Sequence, residues 1–255
     1  MSAKIIHHTQ AFIDTLGTGG AFLDRGLTNA EATQAQLLLQ VDAVNYLYSA
    51  CVSIGDSIQA IDRTLFTWAT VKLYYSNFYL LRCLLALSGF ALVYDGSKPR
   101  MITCKAGEGP VPLNGVKGTH KAVVSFFTRS FPNSPLLSQS IGGDQPFEWL
   151  MRHREEANYG SARFSDPQCP AHFSMIASNG VRRTLTSYVE DTTYLYTFDP
   201  DHAMLALPIE ALKIAIAHPN LNLSANTGLD TQRFFKDIFA DKAGSMPTML
   251  HLLKV

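Results

Sequence analysis

The stretch Leu65–Gly89, LFTWATVKLYYSNFYLLRCLLALSG, contains no proline, and its only glycine is its last residue. On a helix its apolar and aromatic side chains occupy nearly every face, which predicts a helix that is buried on most sides. Four side chains at helical spacing predict that one side of this helix faces a wet or polar environment. They are Lys72, Ser76, Tyr79 and Cys83. The stretch therefore predicts a mainly α protein organised around one central helix.

A longer helix is predicted directly before the central one. Thr28 or Asn29 can cap its start, and Glu31 is the third residue after Thr28, as a capping box requires. Apolar residues then recur at helical spacing as far as about Ile61. Only Asp62–Thr64 separates the two helices, so they are expected to lie antiparallel.

A small β-hairpin is predicted after the central helix. Phe90–Tyr94 is a short apolar strand, Asp95-Gly96 is a strong turn signal, and Arg100–Lys105 can pair with the first strand. The glycines and prolines that follow predict a loop. Residues 90–118 are therefore interpreted as a hairpin and loop inserted between helices.

Charge is balanced over the whole chain but not locally. The sequence has 21 basic and 21 acidic residues, so its overall charge does not argue for binding to nucleic acid or membranes. Between Gly96 and Arg129, six lysines and arginines stand against one acid, Glu108. This basic segment is either a solvated loop or an edge that binds a polyanion.

The rest of the chain is predicted to be mostly helical. Apolar periodicity predicts helices at Thr119–Phe131, Gln145–Tyr159, Phe173–Thr193, Pro208–Ala217 and Gln232–Phe239, and a strand at Thr192–Phe198. Residues 1–190 are predicted to form the helical bundle. Residues 191–255 are predicted to form a C-terminal α+β extension, either separate or part of the same domain.

Composition and cysteine usage predict a cytoplasmic protein. Apolar residues make up 47% of the chain and charged residues 16%, which gives ample material for a core. The four cysteines are widely spaced, which favours a reducing compartment. No signal peptide is expected at the N-terminus. Arg82 lies inside the apolar window Phe78–Tyr94 and argues against a membrane span.

Familiar catalytic and metal-binding patterns are absent from the sequence. No histidine pair has His-x3-His spacing and no Cys-x2-Cys occurs, so neither a metal nor a cofactor is expected. Gly-x-Ser-x-Gly, Walker and Rossmann patterns are also missing. The GTGG sequence at residues 17–20 is interpreted as a flexible turn, because it lacks the Lys-Ser/Thr of a phosphate loop.

Arg152–Tyr159, RHREEANY, is the most unusual polar segment. On a helix, Arg152 and Tyr159 lie on one side together with the two glutamates, while Arg154 and Asn158 follow a neighbouring line. One interpretation is structural and pairs the arginines with the glutamates. The other is functional: the arginines bind phosphate, and Asn158 and Tyr159 orient a group beside it. The residues alone leave both interpretations open.

Two stretches of the chain resemble a known superfamily. LYYSNFYLLRCLLAL, Leu73–Leu87, is similar to the A-Y-Y-A/S-x-F-H-A-A-R-A-L-L helix of the higher eukaryote and prokaryote nucleotide-binding (HEPN) superfamily. REEANYG, Arg154–Gly160, is similar to the R-x-x-A-D-Y-G stretch on a later helix of many members. The order of the two motifs also fits, and the resemblance covers about residues 30–190.

The resemblance implies a HEPN-like bundle of four or five antiparallel helices that is usually dimeric. Many members are metal-independent ribonucleases of toxin–antitoxin, CRISPR and anti-phage defence systems, and others are non-catalytic or bind nucleotides. By this resemblance we expect a homodimer that binds RNA or a nucleotide. A protein partner encoded in the same operon is a further expectation.

The nucleolytic members use an Arg-x4–6-His motif, and this chain departs from it. Asn158 stands where a histidine would follow Arg152, and Tyr159 stands where one would follow Arg154. Asparagine cannot transfer a proton near neutral pH, and tyrosine titrates near pH 10. The predicted catalytic residues are Arg154, Asn158, Tyr159 and His153; the predicted ligand-binding residues are Arg152, Lys72, Tyr75, His120 and Lys121.

Three functional hypotheses follow for the chain. The first is an RNA- or nucleotide-binding subunit of a bacterial defence or toxin–antitoxin system. The second is an active metal-independent endoribonuclease in which Arg154 acts with His120 or His153. The third is a non-catalytic structural or oligomerisation module.

Overall fold

The computed structural model describes residues 7–17, 25–222 and 229–254. Within these ranges the protein has ten α-helices, five short strands and one 3-10 turn. The helices are α1 His8–Thr15, α2 Asn29–Asp62, α3 Phe66–Leu87, α4 Thr119–Ser130, α5 Pro146–Tyr159, α6 Ala171–Asn179, α7 Val181–Glu190, α8 Ala203–Ile216, α9 Leu229–Ile238 and α10 Pro247–Leu253. The strands are β1 Phe90–Asp95, β2 Lys98–Thr103, β3 Val111–Pro112, β4 Ala240–Asp241 and β5 Gly244–Ser245; the 3-10 turn is Pro135–Leu137. Residues 18–20 of the predicted GTGG turn lie outside the described ranges.

The chain divides into two compact units. The first comprises Met1–Tyr46, Leu81–Pro132 and His218–Asn222, and the second comprises Leu47–Leu80, Asn133–Ala217 and Leu223–Val255. Helices α2 and α3 contribute residues to both units. The predicted mainly α class is confirmed. The HEPN-like bundle and the boundary near residue 190 stay predictions.

The first unit contains the predicted hairpin, which is confirmed. β1 and β2 pair antiparallel with Phe90 opposite Thr103, and β3 pairs with the other edge of β2. Helix α1 is hydrogen-bonded to β1 through the side chain of Gln10. Its Nε2 donates to the Tyr94 carbonyl at 3.1 Å, and its Oε1 accepts from the Tyr94 N–H at 2.7 Å.

The structure leaves both interpretations of the basic segment open, the solvated loop and the polyanion-binding edge. Arg100 forms an ion pair with Asp95 of the same hairpin at 2.8 Å. The other five basic residues are exposed: Lys98, Lys105, Lys117, Lys121 and Arg129. A solvated loop and a polyanion-binding edge both require such exposure.

Both ends of the predicted long helix agree with the sequence. At its start the capping box is present, because Thr28 Oγ1 accepts from the Glu31 N–H at 3.3 Å and Glu31 Oε2 accepts from the Thr28 N–H at 2.8 Å. At its other end, within the second unit, Lys72 of α3 forms an ion pair with Asp56 of α2. Each of these residues lies six positions from the end of its helix that adjoins the turn. The predicted antiparallel hairpin is therefore confirmed in the second unit.

The expectation that one side of α3 faces a wet or polar environment is wrong at two of the four positions. Ser76 and Cys83 are both 0% exposed. The Ser76 hydroxyl donates to the Leu73 carbonyl at 2.7 Å, so it is satisfied inside its own helix. A small polar residue on a helix therefore need not indicate a polar neighbour.

The innermost helix of the second unit is α8, which the sequence placed too late in the chain. Eleven of its fourteen residues are buried. It packs against the 3-10 turn, α6, α7 and α10. The prediction began this helix at Pro208, because proline favours the first turn. In the structure Pro208 lies inside the helix, which begins at Ala203.

Two further sequence predictions in this region are wrong. The predicted helix Phe173–Thr193 is two helices, because Gly180 between them has φ +82°, a value that a side chain disfavours. The predicted strand Thr192–Phe198 is an irregular turn. The Asp191 carboxylate shapes it by accepting the N–H groups of Thr193 at 2.8 Å and Tyr196 at 3.2 Å.

The C-terminal residues contain elements that the sequence did not predict. The predicted helix Gln232–Phe239 is α9, which begins earlier, at Leu229. Strands β4 and β5 then form a two-residue ladder, and α10 follows them. Residues 191–255 thus contain the helices α8–α10 and a small hairpin, and their role as an α+β extension stays a prediction.

Helix α2 approaches α9 closely in the second unit, and Gly55 permits this approach. A Cβ atom at residue 55 would lie 2.8 Å from Cγ1 and 2.9 Å from Cγ2 of Ile238. We expect Gly55→Ala to lower the free energy of unfolding by about 1–2 kcal/mol, although alanine is the better helix former. Urea denaturation measures this change. In an Ile238→Ala background the same substitution should be neutral or stabilising; an equal loss there would contradict the packing.

One described helix, α2, is long and apolar enough to cross a membrane, judged by length and composition. However, 44% of its most apolar window is buried inside the protein. Core helices of soluble proteins meet the same criterion, so the helix is weak support for a membrane span.

Candidate functional site

The predicted site lies on α5 in the second unit, where α5 contacts α3 and α6. Helix α5 begins with Pro146 at its first turn, where the missing N–H costs nothing, and it ends at Tyr159 before Gly160. Its buried face carries Phe147, Leu150 and Arg154, which are three or four residues apart. An arginine thus occupies a position where an amphipathic helix ordinarily carries an apolar residue.

Arg154 is a buried cation that has no carboxylate partner among the described residues. Arg154 is only 9% exposed to solvent, and its guanidinium carbon lies 5.1 Å from the centre of the Tyr74 ring. Nε is buried and makes no hydrogen bond, and the guanidinium forms no ion pair with any residue that the structure describes. A guanidinium has five N–H donors, and buried polar groups are nearly always satisfied. Nε of Arg154 is therefore an exception to this rule.

Tyr74 of α3 supplies the surface against which Arg154 rests. Burial raises the pKa of Tyr74, so its phenol stays neutral at physiological pH. A neutral ring attracts the guanidinium through its quadrupole but leaves the positive charge uncompensated. The two helices that carry the sequence motifs thus meet through an arginine on one and an aromatic ring on the other.

Arg152 has a different environment, since its side chain is 48% exposed. Its Nε and Nη2 lie 3.0 and 2.7 Å from one carboxylate oxygen of Asp144, and Nη1 lies 3.3 Å from Glu156. The hydrogen bond with Asp144 is the main cause that raises the pKa of Arg152, and the hydrogen bond with Glu156 raises it further. The structural interpretation, in which arginine pairs with acids, describes Arg152 but not Arg154.

Two histidines lie next to each other beside Trp149. The rings of His153 and His172 are 4.7 Å apart, and that of His153 is 4.2 Å from Trp149. Nε2 of His172 lies 3.1 Å from the Thr70 hydroxyl of α3, and Nδ1 of His153 lies 3.3 Å from Glu156. Burial lowers the pKa of His153, and burial followed by the charge of His153 lowers that of His172 to about 3. Both rings are thus neutral near pH 7.

The pKa of His172 makes stability depend on pH. In the unfolded chain the pKa is near 6.5, so between pH 6.5 and 3 the unfolded state binds more protons and stability falls as pH falls. At pH 5 the loss from this residue is about 2 kcal/mol. We expect His172→Gln to lose less stability between pH 7 and pH 5 than the wild type in urea titrations. Identical pH dependence in the two proteins would contradict this assignment.

The other predicted residues lie in several places. Asn158 is half-buried and Tyr159 is 77% exposed at the end of α5. On α3, Lys72 pairs with Asp56, and the half-buried Tyr75 contacts neighbouring aromatic rings of its own helix. The two remaining predictions, His120 and Lys121, lie on α4 in the first unit.

Sequence reasoning missed Tyr74 and His172 as members of the site. Tyr74 and Tyr75 are adjacent, and only the packing decides which ring faces Arg154. His172 lies directly before the predicted helix Phe173–Thr193, so no periodicity marked it. No group of three or more potential metal ligands occurs among the residues that the structure describes.

Comparison with models of known protein families, with curated proteins and with solved structures finds no significant match. The geometry around Arg154 is therefore the basis for any functional assignment.

Proposed function

We propose that the protein is a HEPN-like RNA- or nucleotide-binding subunit, and that Arg154 is the residue that binds phosphate. In this proposal it acts as a homodimer in a bacterial defence or toxin–antitoxin system, with a protein partner encoded nearby. The Arg154 site, by which we mean Arg154, Tyr74, His153 and His172, is where the phosphate binds.

The observation that carries the proposal is that Arg154 is buried, that its Nε has no acceptor, and that no acid in the described part of the chain pairs with it. Removing a guanidinium from water is costly unless hydrogen bonds and an opposite charge replace the solvent. Tyr74 supplies only a cation–π contact. A phosphate oxygen would supply both the charge and the acceptors that are missing, and it matches the planar fork of arginine donors.

Exposed aromatic residues of the same unit support a nucleic-acid ligand. Tyr159 at the end of α5 is 77% exposed, and Trp68 and Phe164 are 45% and 42% exposed. The rings of Trp68 and Phe164 are in edge contact, with their centres 5.5 Å apart. Bases of single-stranded RNA stack on such rings regardless of sequence.

The charges around α5 predict weak salt dependence. Arg152 is neutralised by Asp144 and Glu156, so few cations besides Arg154 remain for phosphates. For single strands the slope of log affinity against log salt is about −0.7 per phosphate neutralised. A slope between about −0.7 and −1.4 is therefore expected, which corresponds to one or two phosphates.

Fluorescence anisotropy with a labelled single-stranded RNA of about 12 nucleotides tests the proposal. The wild type should bind it saturably, and ATP should compete if a nucleotide suffices. Size-exclusion chromatography with absorbance at 260 and 280 nm should show whether nucleic acid stays bound through purification. Absence of saturable binding to RNA and to ATP would overturn the proposal.

A second candidate function, the metal-independent endoribonuclease, is favoured by His153. Its pKa is lowered by burial, so near pH 7 the imidazole is free to accept a proton from a ribose 2′-hydroxyl. Incubation of RNA with EDTA tests this activity. Cleavage that is lost in His153→Gln while RNA binding persists would support it, and intact RNA after incubation with bound wild type would exclude it.

A further inference from the structure

A second cavity, of about 130 Å³, lies beside α7 and shares no lining residue with the Arg154 site. The end of α6, one side of α7, the following loop and the residue before α8 form its walls. An engineered protein cavity of about 150 Å³ accommodates benzene, so this one suits a small organic molecule or ion. We call it the Arg183 cavity.

Arg183 gives this cavity a positive charge. It lies in the first turn of α7 next to Arg182, where the helix dipole already disfavours cations. Arg182 is compensated, because it donates to Asp241 at 2.9 Å and to the carbonyls of Gly244 and Ser245 at 2.8 and 2.9 Å. Arg183 is exposed and has no acid partner within the described part of the chain.

The remaining polar groups of the cavity are mostly donors. The hydroxyl of the buried Tyr188 lies 2.8 Å from Nδ1 of His202; when it donates to that nitrogen, Nε2 of His202 carries the proton. Asn179 adds an amide, whereas the hydroxyl of Ser187 already donates to the carbonyl of Arg183 at 3.3 Å. No aspartate or glutamate is among the described residues that line the cavity.

Asp199 is an acid whose charge acts on the Tyr188 hydroxyl of the cavity. Burial, followed by the charges of Tyr196 and Asp199, raises the pKa of Tyr188, so the Tyr188 hydroxyl keeps its proton. One oxygen of the Asp199 carboxylate accepts the N–H of Asp201 at 2.9 Å. A protonated Tyr188 can donate to Nδ1 of His202, and the Nε2–H of His202 is then the donor that a ligand can use.

Aromatic rings supply the apolar part of the wall. The Tyr196 ring lies 5.3 Å from that of Tyr188 and 5.0 Å from that of His202. A cation, several donors and ring faces around a small volume are complementary to a compact anion. We propose that the Arg183 cavity binds a small molecule with one carboxylate or phosphate group, which Arg183 holds. This inference does not depend on the proposed function.

Isothermal titration calorimetry at constant ionic strength tests it with benzoate, inorganic phosphate and the uncharged benzyl alcohol. We expect saturable binding of benzoate or phosphate and none of benzyl alcohol. Arg183→Met should weaken that binding by at least about tenfold, the value of one charge-assisted hydrogen bond. The exposed Arg233→Met on α9 is the matched control and should bind as the wild type does.

The choice of anion identifies the ligand class. Binding of benzoate that is lost in Tyr196→Leu indicates an organic carboxylate held between the rings, whereas binding of phosphate alone indicates a phosphate group. The proposal is overturned if neither anion binds saturably to the wild type, if Arg183→Met binds as tightly, or if benzyl alcohol binds equally well. RNA binding by Arg183→Met should be unchanged, which separates this site from Arg154.

Discussion

Replacing Arg154 by methionine is expected to remove most RNA binding while leaving the free energy of unfolding within about 1 kcal/mol of the wild type. Methionine retains the length and apolar stem of the side chain, so contact with Tyr74 persists. The cation–π attraction is lost, but so is the cost of burying an unpaired charge. These two terms oppose each other, and Nε has no acceptor to lose.

The effect on RNA affinity should be large, because Arg154→Met removes the charge that the proposal pairs with phosphate. A charge-assisted hydrogen bond to phosphate contributes about 1.5–3 kcal/mol, which corresponds to roughly 10- to 150-fold in affinity. Anisotropy titrations of the two proteins with the same RNA measure this ratio. Arg233→Met, an exposed arginine of α9, is the control and should change affinity by less than about twofold.

A structural role for Arg154 predicts the opposite pair of results. If the arginine only fixes the packing of α5 on α3, Arg154→Met should lower stability or alter the oligomer and leave RNA affinity unchanged. That outcome would favour the structural or oligomerisation hypothesis. Urea denaturation and size-exclusion chromatography on the same preparations make the distinction.

Replacing Lys213 by methionine is expected to lower the free energy of unfolding by about 3 kcal/mol. Lys213 Nζ lies 2.7 Å from the carboxylate of Glu210 on the same buried helix, α8. It also donates to the carbonyls of Tyr188 and Asp191 at the end of α7. The substitution therefore leaves a carboxylate that is 9% exposed without its partner and removes the donor from two carbonyls.

A double-mutant cycle isolates the pair. Glu210→Leu in the Lys213→Met background should recover about 1–3 kcal/mol, because it removes the unpaired buried charge. Lys236→Met, at an exposed position of α9, should cost less than about 0.5 kcal/mol. Equal losses for Lys213→Met and Lys236→Met in urea titrations would show that the ion pair contributes little.

The sequence predicted correctly those helices and strands that are determined by residues close together in the chain. The capping box at Thr28, the central helix and the Asp95-Gly96 hairpin all depend on neighbours within a few residues. The wrong predictions depend on distant packing or on one backbone angle: Gly180 divides a helix at φ +82°, and the buried surroundings of α8 accommodate Pro208 inside it. The spacing of apolar residues in the sequence carries no information about distant packing or about a single backbone angle.

The candidate site was predictable only in part. The segment Arg152–Tyr159 drew attention through its composition, but the two arginines could not be distinguished in the sequence. Their environments differ because Arg154 faces Tyr74 on the buried side of α5, whereas Arg152 faces Asp144 at the surface. His172 and Tyr74 belong to other helices and join the site through tertiary packing alone.

The most direct test of the role of Arg154 is an NMR titration that observes arginine Nε–H signals of ¹⁵N-labelled protein. The Arg154 signal is identified by its absence in Arg154→Met. If Arg154 binds phosphate, its Nε–H signal should shift saturably as RNA is added, while that of Arg233 stays unchanged. An Arg154 signal that does not move when the protein is saturated with RNA would contradict the proposal.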